Sequence, residues 1–199
     1  PATAENDVVG YRKDLSGNEL HVTQADAAKK AKIAAGGRVD YDGVDDTHFA
    51  PVAATINSAY LVAVVEMNTL TSGSFLGISE DASNRVLLLS SNNTYRSLMN
   101  SGGIQTFLSS GVIAKANKVV ATLAWDGSII SIRINGVQKN SGSQTSSFTT
   151  SAGGITVGSL ISSSFANCMV DSAIAIYNST VAIADLETIE NTLMARHGI

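Results

Sequence analysis

The sequence predicts an all-β domain of two stacked antiparallel sheets closed by one C-terminal helix, and three observations carry that prediction. Apolar residues alternate with polar ones, or form short unbroken runs, between recurrent turn clusters. Charged residues make up only 15% of the 199 positions while Gly, Ser, Thr and Asn are abundant, a balance that suits strands and tight turns. Strong helical spacing of apolar residues occurs only near the end. A chain of this length buries about 70% of the surface its unfolded form exposes, enough for one core without disulfides. All-β domains of this size commonly remain undivided.

Residues 1–37 form a polar lead-in, expected to be an N-terminal arm packed on the domain. It holds the turn cluster Asp14–Asn18 and the Ala-rich stretch Ala25–Ala35, which buries little and promises at most a short helical turn. The sandwich is assigned to residues 38–199. Val39 and Tyr41 alternate with Arg38, Asp40 and Asp42 ahead of a turn over Asp42–Asp46. Tyr60–Met67 is apolar enough to be covered on both faces. Phe75–Ser79 and Val86–Ser90 follow, joined by the turn Asp81–Asn84. Val119–Trp125, the hairpin signal Asp126-Gly127 and Ser128–Ile134 form a pair in which Ile130, Ile132 and Ile134 share one face. Asn135-Gly136 marks the next hairpin turn, and Ile155–Val157 and Met169–Tyr177 complete the strands. The Ser/Thr/Gly-rich stretches Asn140–Gly154 and Ser162–Ser164 are expected to be long loops or mobile edges. Leu186, Ile189 and Leu193 predict a helix over 183–197 lying across an end of the sandwich. Asp185 and Glu187 near its start and Arg196 and His197 near its end suit the helix dipole, and Gly198 is the expected stop.

The net charge of −4 and the absence of any basic stretch longer than Lys29-Lys30 argue against nucleic-acid binding, which needs clustered cations. Cys168, the single cysteine, sits in an apolar run and fits a buried small hydrophobe. Pro1–Asp7 is polar and acidic, unlike a secretory leader, and the longest apolar run, Ala59–Val65, is too short to span a bilayer. No membrane insertion is therefore expected. Pro1 fits both a native start after Met removal and a processed end.

Several segments resemble the concanavalin A-like, LamG-type jelly-roll domains of phage virion and bacterial surface proteins. Tyr11-Arg12-Lys13-Asp14-Leu15-Ser16-Gly17-Asn18 followed by His21-Val22-Thr23-Gln24-Ala25 is similar to that family's opening, with Tyr11 where Trp is usual. Val39-Asp40-Tyr41-Asp42-Gly43-Val44-Asp45-Asp46 resembles its V-x-F-DG-x-DD signature, with Tyr41 in place of Phe. Ile189-Glu190 through Leu193 to Arg196-His197-Gly198-Ile199 resembles its closing helix, with Arg196 for Lys and His197 for Trp. Trp125-Asp126-Gly127 leading to Ile134-Asn135-Gly136-Val137 is similar to its DG…NGV hairpin. The resemblance implies a two-sheet jelly-roll sandwich. It says little about function, since the same sandwich serves glycan binding, protein binding and scaffolding.

Few residues carry chemistry. Asp42, Asp45 and Asp46, with Asp40 beside them, offer the oxygens a hard cation such as calcium takes. The preferred role of these residues is to shape a tight turn at Gly43, so no cofactor is expected beyond calcium at this turn. Among the aromatics that could stack on a sugar, Tyr95 is expected in a polar loop after Asn92-Asn93-Thr94, and Trp125 ends a strand beside a turn. Both are candidate ligand contacts, with core packing the simpler role for each. Glu66 and Asp171 are the main strand carboxylates, Glu66 as an exposed strand residue or an edge gatekeeper and Asp171 as a satisfied polar group; they make a poor hydrolase pair. His21, His48 and His197 are scattered without metal-ligand spacing. No catalytic residue or enzyme activity is expected.

The resulting expectation is a non-enzymatic virion structural protein, a capsid-decoration or tail-appendage subunit at the virion surface. Its partners would be major capsid or tail proteins, in a symmetric homo-oligomer, with adhesion to a cell-surface glycan as a further role. The alternative is a carbohydrate-binding, lectin-like module of a bacterial surface or tail-fibre protein, extracellular or on the bacterial surface.

Overall fold

Antiparallel pairing joins every strand of the computed structural model, which describes residues 3–69, 72–112, 117–159 and 165–199. One sheet has eight strands, in the order β1 (Tyr11–Arg12), β2 (Val22–Thr23), β5 (His48–Pro51), β16 (Gly154–Val157), β8 (Gly73–Ser79), β9 (Asn84–Ser91), β10 (Thr94–Ser101) and β11 (Ile104–Val112). The other has seven: β14 (Val137–Ser143), β13 (Ile129–Ile134), β12 (Val119–Trp125), β7 (Ala59–Met67), β17 (Asn167–Tyr177), β4 (Val39–Asp42) and β3 (Lys32–Ile33). A short pair, β6 (Ala54–Ile56) with β15 (Phe148–Thr150), adds a third small sheet. The helix α1 spans Ile183–His197. This is a two-sheet jelly-roll sandwich with one C-terminal helix, as the sequence predicts.

The core lies between the two large sheets. Ile78, Val86, Leu88 and Met99 from one meet Leu61, Val65, Leu123 and Ile132 from the other, all essentially inaccessible to water. Apolar burial of this kind stabilises by about 25 cal/mol per Å². Ile130, Ile132 and Ile134 share the inner face, as their alternation predicts.

The outer face of the seven-stranded sheet is covered by α1. Leu186 and Leu193 pack on Tyr60, Val62, Val64 and Val120. The helix thus lies on a face of the sandwich rather than across its end, because Tyr60, Val62, Val64 and Val120 form an apolar patch that only a helix of this length can dry. Residues of β7 are therefore buried on both sides, as the unbroken apolar run requires. Gly198 ends the helix with φ 68°, its N–H donating to the Met194 carbonyl.

One ion pair latches the helix to the sheet. Arg133 Nε donates to both Glu190 carboxylate oxygens at 3.0 and 3.1 Å, and a terminal guanidinium nitrogen donates to Glu190 Oε2 at 3.0 Å and to the Gly136 carbonyl at 2.7 Å. Glu190 is wholly buried and Arg133 nearly so. Removing one partner strands the other charge. Glu190→Ala is expected to lower the urea-unfolding free energy by about 3–5 kcal/mol, whereas the double change Arg133→Met with Glu190→Leu stays close to the parent.

The lead-in segment enters both large sheets. β1 and β2 extend the eight-stranded sheet through Thr23 beside Phe49, and β3 extends the seven-stranded sheet beside β4. Within Ala25–Ala35 only Ala27–Lys29 forms a helical turn, capped by the Asp26 carboxylate. The segment is tied inward by a buried relay. Arg12 donates to the Tyr41 hydroxyl at 3.3 Å, that hydroxyl lies 2.9 Å from His48 Nδ1, and His48 Nε2 lies 2.8 Å from the Val9 carbonyl. Burial, and secondarily the Arg12 charge, push the His48 pKa down from 6.5 to about 4. The fold therefore favours neutral His48. Its contribution is full above pH 6.5 and is lost as pH falls through about 4, a difference of about 3 kcal/mol. Thermal unfolding followed from pH 7 to pH 4.5 should show this loss, and a His48→Gln variant should lack it.

Four segments depart from the sequence reading. Asn92 and Asn93 adopt left-handed φ of 50° and 62°, making the tight hairpin that joins β9 to β10 where a loop was expected. Gly102 and Gly103, also left-handed, turn β10 into β11. The stretch Asn140–Gly154 holds the end of β14, an edge strand, and all of β15, joined by short loops, and Ser162–Ser164 lies outside the described residues. His48–Pro51 and Ala54–Ile56 are strands too short to show periodicity. One edge remains bare: β17 pairs with β7 up to Tyr177 but with β4 only over Asn167–Val170, so Ser172–Tyr177 has a second side that pairs with no strand among the described residues.

Candidate functional site

The two aromatics expected to meet a ligand are in the core. Tyr95 is 1% exposed, its ring edge-on to Phe75 at 5.9 Å, because the Asn92-Asn93 turn places it in the second residue of β10, facing inward. Trp125 is fully buried and donates its indole N–H to the Gln144 carbonyl at 2.8 Å. Neither can stack on a sugar. Burial also raises the pKa of the Tyr95 hydroxyl and of the enclosed Cys168 thiol, which behaves as the small hydrophobe expected.

Asp42, Asp45 and Asp46 do converge, each offering an oxygen within 4.8 Å of the others. The turn uses two of these carboxylates itself. Asp42 accepts from the Val44 amide at 2.7 Å, and buried Asp46 accepts from the Asp42 amide at 3.0 Å. Burial raises the Asp46 pKa, and the neighbouring carboxylates add to it. Gly43 permits the turn: φ is +79°, and a Cβ there would press on Asn167.

Glu66 and Asp171 lie beside the C-terminal end of α1, and Glu66 is in the central strand β7 rather than at an edge. Glu66 accepts from Arg38. Asp171 pairs with Lys118 at 2.9 Å, with Arg38 at 4.0 Å and with His197 Nδ1 at 3.5 Å. His197 Nε2 in turn meets Ser172 Oγ at 3.1 Å. This Asp–His–Ser order has the connectivity of a hydrolytic triad. Its carboxylate, however, is claimed more closely by Lys118, and 3.5 Å exceeds a hydrogen bond, so the group seats the helix end instead. His21 stacks edge-on to Tyr11 at 5.2 Å.

The arrangement best suited to a ligand lies on the outer face of the eight-stranded sheet, where no single sequence motif marks it. Strand register sets two adjacent rows across it. One row runs Tyr11, Thr23, Phe49, Thr156, Gly77, Leu87, Leu98, Phe107, apolar for most of its length with exposed aromatics at both ends. The next runs Gly154, Ser79, Arg85, Asn100, Gln105 and is polar. Arg96 flanks the apolar row with its guanidinium 4.6 Å over the Phe107 ring. Beneath this face Ser79 Oγ, Thr156 Oγ1, Arg85 Nε and Asn100 Oδ1 are enclosed, out of a ligand's reach, and have no hydrogen-bond partner among the described residues. Such groups cost free energy unless something satisfies them. The groups this face offers to a ligand are the exposed Tyr11, Thr23, Gln105 and Phe107 and the half-buried Phe49, Arg85, Arg96 and Asn100, while Thr156, Ser79, Leu87 and Leu98 between them are buried. Period-two alternation within each strand encodes the outer residues, but their alignment into rows depends on register and on strands absent from the sequence reading.

No family model matches this chain, and no curated protein does. Solved structures do. Domain 4 of a GH43 extracellular arabinanase from Geobacillus stearothermophilus, in complex with arabinotriose, superposes with a TM-score of 0.62 at 16% identity, covering 93% of this chain and 87% of that one. The botulinum neurotoxin serotype D ligand-binding domain, in complex with N-acetylneuraminic acid, gives 0.64 at 9% identity, covering 94% of this chain. These structures share the two-sheet jelly-roll sandwich with this chain. The heptameric SAP-like pentraxin of Limulus polyphemus shares it, with a TM-score of 0.61 at 8% identity over 77% of this chain and 81% of that one. This chain spans about half the length of the neurotoxin domain, 51%. At these identities the likeness concerns the fold.

Proposed function

We propose that this chain is a non-enzymatic, carbohydrate-binding module whose sugar lies across the outer face of the eight-stranded sheet. The observation that carries the reading is the pair of adjacent rows, one apolar with exposed aromatic ends and one polar, with Arg85, Asn100 and exposed Gln105 along it. A sugar ring presents the same division, C–H groups on its faces and hydroxyls at its rim, so the rows suit it in kind. Two structural neighbours carry sugars, arabinotriose and N-acetylneuraminic acid, which supports the reading further. The carboxylates offer little to a hydrolase, because Glu66 and Asp171 are ion-paired beside the helix on the other side of the sandwich. Calcium at Asp42, Asp45 and Asp46 is not required by this site, since the acidic turn contributes no residue to either row. A place on a phage particle rests on the sequence resemblance alone; stoichiometric presence in purified particles, read by mass spectrometry, is its test.

Isothermal titration against arabino-oligosaccharides and sialylated glycans, after a glycan array, tests the proposal. Arg96→Ala and Asn100→Ala are each expected to weaken binding about tenfold, equivalent to about 1.4 kcal/mol. Tyr95→Phe and excess EDTA are expected to leave it unchanged. Silence across the array, or binding indifferent to both outer-face variants, overturns the reading.

A further inference from the structure

A second surface lies at the bare side of β17 and is independent of the sugar face. Between that strand and the Lys13–Leu20 segment, the two sheets part to leave a cleft of about 890 Å³. Its floor is core: Leu76, Ile155 and Val157 reach it from the eight-stranded sheet, and Ala173 and Ala175 from β17. Each residue from Asp171 to Tyr177 is only half-buried, although the strand is hydrogen-bonded to β7 along its other side. An unpaired strand edge is a template for another strand, and proteins usually cover or charge it. This one instead borders an open apolar slot in which small Ala side chains leave room.

The charge around the mouth selects the occupant. Lys13 and Arg196 line it, are exposed, and enter no ion pair among the described residues. Arg12 beside them donates only to the neutral Tyr41 hydroxyl. Of the lining carboxylates, Asp14 keeps its charge while accepting from Ser16 and the Leu20 amide, and Asp171 faces Lys118 and Arg38, so Arg12, Lys13 and Arg196 outnumber the free negative charge. The mouth is thus cationic. Two copies joined through this edge would set those cations against one another.

We propose that the Ser172–Tyr177 edge of β17 binds an extended segment of a partner protein by strand addition, with apolar side chains entering the cleft at alternate positions and a carboxylate meeting Lys13 and Arg196. Main-chain hydrogen bonds along the edge would supply affinity, and the cleft and the two cations would set sequence preference. The six unpaired edge positions correspond to about 20 Å of strand, at roughly 3.3 Å per residue.

The test uses the whole chain as bait for a displayed library of random nonapeptides, followed by hydrogen–deuterium exchange with the selected synthetic peptide. The proposal expects peptides alternating apolar residues with at least one Asp or Glu, slowed exchange across residues 172–177 on binding, and at least tenfold weaker binding to a Lys13→Glu, Arg196→Glu double variant. Both changes are at exposed positions, so the fold is retained. An Ala175→Arg variant, filling the cleft, should also lose the peptide. Selected peptides that leave the exchange of 172–177 unchanged, or that bind the charge-reversed variant equally, overturn it. So does a concentration-dependent dimer that already protects those amides, or a glycan that does so. Because neither row of the sugar face contributes a cleft residue, glycan binding can fail while peptide binding succeeds, and the reverse.

Discussion

Burial of both faces of β7 is the constraint on which the remainder of the structure depends. An unbroken apolar strand can survive in water only between two dry surfaces. One is the opposing sheet, and the other is α1, held there by Leu186, Leu193 and the enclosed Arg133–Glu190 pair. The same requirement assigns the two sheets different work. The seven-stranded sheet spends its outer face on the helix. The outer face of the eight-stranded sheet carries no α-helix among the described residues, and Tyr11 and Phe107 at its margins are exposed.

Much of this organisation was legible in the sequence, because the long central strands carry their own evidence. Val119–Trp125 and Ile129–Ile134 follow directly from apolar alternation around Asp126-Gly127, and the last helix from Leu186, Ile189 and Leu193. What escaped was short or polar. β14 has an almost wholly exposed strand, so it lacks the apolar marker on which strand recognition depends. β10 was hidden because Asn92-Asn93 resembles a loop unless both residues are allowed the left-handed conformation of a tight hairpin. That one turn decided the fate of Tyr95: in a loop it would reach solvent, and as the second residue of β10 it points into the core.

The candidate site was less legible than the fold, for a related reason. Residues such as Phe49 and Thr156 lie far apart in sequence and become neighbours only when register is known, and register is a property of pairs of strands. The acidic turn shows the opposite case. Its residues are close in sequence and converge in space, yet their convergence is accounted for by the turn's own amides. Local proximity made that cluster conspicuous, while the rows had no local signature.

The placement of α1 has a practical corollary. Ile199 packs with the cluster beneath the helix, on the far side of the molecule from the outer face of the eight-stranded sheet. Anything tethered through that residue, whether an affinity tag, a sensor surface or a neighbouring domain, would leave from the rear and keep the opposite face turned toward solution. Immobilisation through the C-terminus should therefore present the molecule in one useful orientation.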